Sequence, residues 1–168
     1  MSTHDLSLRA YWITVRDAPY PSIGGGSGVT VALAGMIALM IWEIWANGVA
    51  PIWTGVALSP GEQVTAILGV SDAGGEAIFV FLALIGFPAL FEFVIRPLSR
   101  MSEAETPTWL LGAELGAFVF GLSLVSTAFA ADPEALTHQG SALVLLLGHL
   151  IYGVIVAVAI EKQEQFEI

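Results

Sequence analysis

The chain has 168 residues, 56% of them apolar and 12% charged, with a formal net charge of −10. A mean hydropathy of +0.80 excludes intrinsic disorder, and a pI near 4.4 excludes nucleic acid as a partner, because phosphate binding needs clustered Lys and Arg. The absence of Cys excludes disulfides, Cys-ligated zinc, iron–sulfur clusters and a thiol nucleophile.

Residues 1–27 read as an N-terminal arm. Its first part mixes Leu6, Leu8, Tyr11, Trp12 and Val15 with Arg9 and Arg16, a composition suited to a membrane interface or another protein. Pro19 and Pro21 then stiffen the backbone, and Gly24 to Gly26 loosen it, which reads as a hinge. No Lys-Ser/Thr pair follows these glycines and no strand precedes them, so they are no phosphate loop.

Four apolar stretches approach or reach the ~20 residues that a helix needs to cross a bilayer. They cover about 29–46, 76–97, 108–130 and 139–160. The fold class expected is therefore all-α: a polytopic membrane protein with four transmembrane helices in an up-down bundle over 28–161, and a tail at 162–168. A basic N-region followed by a span-length apolar run predicts that the first span is kept as a signal anchor. Arg9 and Arg16 precede span one, Arg96 and Arg100 lie between spans two and three, and Lys162 follows span four. All five bases thus fall on one side, which the positive-inside rule makes cytoplasmic, with both termini there. Trp42, Trp45 and Trp53 are expected at the outer interface, and Trp12 and Trp109 at the inner one.

The connection from Asn47 to Gly75 carries Ser59-Pro60-Gly61-Glu62, the spacing of a capping box with Pro at the first helical position. Val64, Ile67 and Leu68 follow at helical spacing, predicting an outer amphipathic helix over about 60–69 that ends at Gly69. In span two, Pro88 predicts a kink that frees a carbonyl near Leu84.

Ionisable groups inside a span are costly and mark candidate sites. Glu92 and Arg96 lie four residues apart on one helix face, and Glu114 of span three falls at a similar depth. They could form a proton or cation site; a structural ion pair near the headgroups is the simpler reading. Glu43 lies near the outer end, within reach of water. Gly112, Gly116 and Gly121 repeat a small-residue interval that allows close helix packing, with Glu114 pointing away from it. His149, with Tyr152 on the same face, is the most central polar group. A b-type haem would need a second axial ligand, for which only Met36 or Met40 stand in a span. A hydrogen-bonding interhelical histidine is the favoured reading, ahead of a contact to a quinone or pigment.

Around His149, the run Gly148-His149-Leu150-Ile151-Tyr152-Gly153 resembles the closing helix of small four-span haloarchaeal membrane proteins of unknown function. That resemblance implies an acidic, salt-adapted source and no catalytic residues. No Ser/His/Asp set, zinc spacing or repeated half occurs in the sequence. The functional expectation is a non-catalytic accessory subunit of a membrane energy-transducing complex in a prokaryotic plasma membrane, a respiratory terminal oxidase or related electron-transfer assembly. Any haem, quinone or lipid is then held by larger partner subunits, and the chain is no enzyme on its own. The alternative is a proton or cation carrier using Glu92, Arg96 and Glu114. A scaffold for a pigment or lipid ranks third.

Overall fold

Apolar segments surrounded by lipid must satisfy their own backbone hydrogen bonds, which favours helix. The computed structural model describes residues 25–55, 57–101, 106–128 and 142–166, and among these residues there is no strand. Helix α1 covers Gly25–Ile44 and continues through a π-helical turn, Trp45–Val49, into Ala50–Thr54. Helix α2 covers Pro60–Leu68. Helix α3 is continuous over Asp72–Arg100, α4 covers Thr108–Ala128, and α5 covers Ala142–Phe166. Helices α1, α3, α4 and α5 are each long and apolar enough to cross a membrane. The chain is an all-α, multi-pass membrane protein. The N-terminal arm up to residue 24, residues 129–141 and the last two residues lie outside the described residues.

The first two spans are longer than their apolar runs indicate. Pro51 does not end α1, and α3 starts at Asp72 and runs on to Arg100. Their three prolines share one explanation. A helical proline donates no hydrogen bond, and its ring clashes with the carbonyl four residues back. For Pro51, Pro88 and Pro97, those residues are Asn47, Leu84 and Phe93. Each lies at the centre of a π-helical turn: Trp45–Val49, Leu82–Gly86 and Phe91–Ile95. The widened turns accommodate the prolines without breaking the spans.

The carbonyls loosened in this way are reused. The Ala46 carbonyl accepts from the Leu58 backbone N–H at 3.2 Å, folding the connection back onto α1. The Ala83 carbonyl accepts from the Tyr152 hydroxyl at 2.5 Å, joining α3 to α5. The Leu84 carbonyl lies over Gly35 of α1, where any Cβ would collide with it.

Helices α4 and α5 pack antiparallel along glycines. A Cβ on Gly112 would lie 2.6 Å from the Gly153 carbonyl oxygen, and one on Gly116 would strike the His149 carbonyl. Gly121 has open space where its Cβ would be, so it is not part of this seam. The small-residue interval continues past Gly116, but that part of it does not face α5. The core between the spans is small and apolar, with Ala34, Ala38, Phe91, Leu115, Val156 and Ile160 fully buried. Many other large apolar side chains, Met40, Phe81, Phe118 and Leu143 among them, face outward as a bilayer requires.

Helix α2 ends at Gly69, whose φ of 65° closes it in the left-handed conformation that glycine tolerates. Its start differs from the capping-box expectation, because the Ser59 side chain makes no cap hydrogen bond. The functioning cap is Ser71 at the start of α3, which accepts from the Gly74 N–H at 3.2 Å. Gly75 packs beneath the Gly61 carbonyl and Thr65, and Gln63 donates to the Ser123 hydroxyl at 3.0 Å. These contacts hold α2 across the start of α3 and the end of α4.

Candidate functional site

The α2 contacts leave a cavity of about 300 Å³ beneath the helix. Val64, Ile67 and Leu68 of α2, Phe79 and Phe87 of α3, and Val119 of α4 line it. Its few polar neighbours include Gln63, Ser123 and Ser126 near α2, and the ring of His149. Leu68 and Leu122, 56% and 48% exposed, also line the cavity and belong equally to the outer surface. The amphipathic face predicted for α2 therefore covers this space as well as meeting the membrane.

Beyond it lies a second space of about 20 Å³, lined by Trp42, Phe79, Ala83, Phe87, Val119, His149 and Tyr152. Five of these residues carry aromatic rings, His149 included. Trp42 meets His149 edge to face with ring centroids 4.8 Å apart, and Phe120 lies 6.0 Å from the same imidazole. Phe87 meets Tyr152 edge to face at 6.4 Å.

His149 does not hydrogen-bond between helices as its sequence position led one to expect. Its Nδ1 is paired with the Leu145 carbonyl one turn back in α5, at 2.8 Å. Tyr152 makes the interhelical bond instead. Trp42 is likewise no interfacial residue: it is 4% exposed within the bundle. Its indole Nε1 is buried and has no hydrogen-bond partner among the described residues. Trp45 Nε1 donates to the Val144 carbonyl at 3.2 Å, and Trp53 and Trp109 are exposed. Met36 and Met40 are 46% and 61% exposed, on the outward side of α1.

The carboxylate set is only partly assembled. Arg96 and Glu92 form an ion pair at 3.0 Å, with side chains 15% and 12% exposed. Glu114 is exposed and does not join them. Glu43 is also exposed and accepts from the Asn47 amide at 2.8 Å. Among the described residues, no group of three His, Asp or Glu side chains is placed to hold a metal ion.

Together these features define a polytopic helical membrane protein with an apolar, aromatic-lined pocket and one imidazole in its wall. No protein-family model, curated protein or solved structure matches the chain.

Proposed function

We propose that this chain is a non-catalytic membrane subunit that holds a small lipophilic molecule in the cavity beside His149. The observation that carries the reading is the cavity itself: about 300 Å³, walled by aliphatic and aromatic side chains, with few polar groups to orient an occupant. Small-molecule sites have this character. The isolated imidazole supports binding and not chemistry, since a general base needs a reacting partner and a haem iron commonly needs a second axial ligand. In this reading the chain is an accessory subunit of an energy-transducing assembly such as a respiratory oxidase, with haem and other redox groups on companion chains. Purification from native membranes in mild detergent tests it. Redox-bearing companion chains and close to one extractable lipophile per chain are expected. A solitary, ligand-free protein contradicts the proposal. The cation-carrier alternative retains only the Glu92–Arg96 pair as an assembled element.

Orientation in a prokaryotic plasma membrane, with both termini cytoplasmic, is part of the same proposal. Arg96 and Arg100 close α3 and Lys162 lies in the last turns of α5, so the antiparallel bundle gathers them at one end. Glu62 and Asp72 lie at the other. The chain has no native Cys, so single cysteines report cleanly. Glu62→Cys is expected to react with an impermeant maleimide in intact cells, and Met101→Cys only after lysis. The reverse pattern would invert the topology.

A further inference from the structure

Helix α2 closes the large cavity against two neighbours, and the two seams are built differently. Toward α3, backbone meets backbone. A Cβ on Gly75 would lie 2.8 Å from the Thr65 backbone nitrogen and would strike the Gly61 carbonyl, and one on Gly61 would lie 3.0 Å from the Glu76 Cα. The two glycines let α2 and the first turns of α3 touch without side chains between them, so this seam opens only if a helix moves.

Toward α4, side chains span the gap. Gln63 donates to the Ser123 carbonyl at 3.2 Å and to its hydroxyl at 3.0 Å, and the hydroxyl returns a bond to Gln63 Oε1 at 3.3 Å. Both residues line the cavity. So do Leu68 of α2 and Leu122 of α4, which also stand exposed on the outer surface and therefore form its rim. Leu122 lies within a membrane-spanning helix, so this rim faces lipid. A bridge of this kind opens when one glutamine changes rotamer, with both helices in place.

We propose that the occupant of the cavity enters and leaves sideways, from the bilayer, through the seam between α2 and α4, with the Gln63–Ser123 bridge as the bar across it. This rests on the lipophile-binding reading above and adds the route and its control. The ligand is then a molecule dissolved in the membrane, uncharged over the part that passes the seam, since no Lys, Arg, Asp or Glu is among the described residues that line the cavity. The bar sets the rate of exchange in both directions and leaves the affinity to the apolar walls.

Exchange of N-phenyl-1-naphthylamine, an uncharged fluorescent lipophile, tests the route. The full chain is loaded with it in lipid nanodiscs and mixed with empty vesicles, and energy transfer from the tryptophans reports its release. Gln63→Met keeps the length of the side chain and removes the bridge. It is expected to speed both uptake and release about tenfold, the factor for one to two net hydrogen bonds, with little change in Kd. Thr65→Val is the control: it removes the bond from the Thr65 hydroxyl to the Ser71 carbonyl on the α3 side, and exchange should stay at the wild-type rate. Joining Gln63→Cys and Ser123→Cys with a short bis-methanethiosulfonate should slow exchange below the wild-type rate, and dithiothreitol should restore it. Unchanged exchange in the joined protein, or equal acceleration by Gln63→Met and Thr65→Val, overturns this inference and leaves the lipophile-binding reading intact. No binding of the probe, with no lipophile extractable from the native protein, overturns both. Should Gln63→Met fail to fold, the reversible cross-link decides alone.

Discussion

Gly116→Val is expected to destabilise the bundle by about 3 kcal/mol, at the upper end of overpacking penalties. A Cβ at this position would meet the His149 carbonyl carbon at 2.7 Å and the Leu150 Cα at 2.8 Å. Both are backbone atoms inside a helix, so neither can swing aside as a side-chain tip would. The α4–α5 pair must separate, and close van der Waals packing is the main attraction between helices in a bilayer. The displaced atoms belong to His149 itself, so the variant should also lose ligand. Gly121→Ala is the control: its Cβ meets nothing within 4 Å, and alanine favours helix over glycine. It is expected to leave stability unchanged or raise it by up to ~1 kcal/mol. Reversible unfolding in mixed micelles measures both. Equal losses at the two positions would show that the seam is not where the glycines of α4 meet α5.

The spans were legible because bilayer thickness and backbone satisfaction leave few options for long apolar runs. The position and end of α2 were legible from Pro60 and Gly69, two residues whose backbone preferences are strong. Pro88 correctly marked Leu84, since the clash of a proline with the carbonyl four residues back is local chemistry. The end expected for span one, near residue 46, fell short because the clash at Pro51 has a second solution, a π-helical turn that lets α1 continue. Ser59 misled because a capping sequence states a possibility, and the geometry at Ser59 does not realise it.

At the site, sequence spacing placed His149 and Tyr152 on one face of α5, and both do line the small space. What spacing could not give was their partners. Trp42 lies more than a hundred residues from His149, and its aromatic neighbours at the end of α1 made it look like part of an interfacial belt. Its burial follows from Gly148, whose missing side chain makes room for Trp42 and Trp45: a Cβ there would lie 2.9 Å from the Trp42 ring and 2.6 Å from Trp45 Nε1. In the sequence, Gly148 stands out only as part of the Gly148–Gly153 run, with nothing to mark the rings that need its space. The cavity was invisible for a related cause. Its walls come from residues in α2, α3, α4 and α5, and a space between helices has no sequence pattern of its own. Glu114 shows the converse error: similar depth to Glu92 did not bring the two carboxylates together, because depth fixes one coordinate and helix rotation the other.

The central claim, that the cavity beside His149 holds a small lipophile, makes its largest prediction at Val119. This residue is 7% exposed and lines both the large and the small space. Val119→Trp should direct the added indole into the cavity, where there is room for it, and displace the occupant without forcing helices apart. Overpacking of a filled core costs stability, but filling an existing cavity does not. Native mass spectrometry of the wild type and Val119→Trp, each released from the same mild detergent, reads the outcome directly. The wild type should carry one bound small lipophile and Val119→Trp none, with equal helix content by circular dichroism. A ligand-free wild type, or an adduct retained in full by folded Val119→Trp, would contradict the claim.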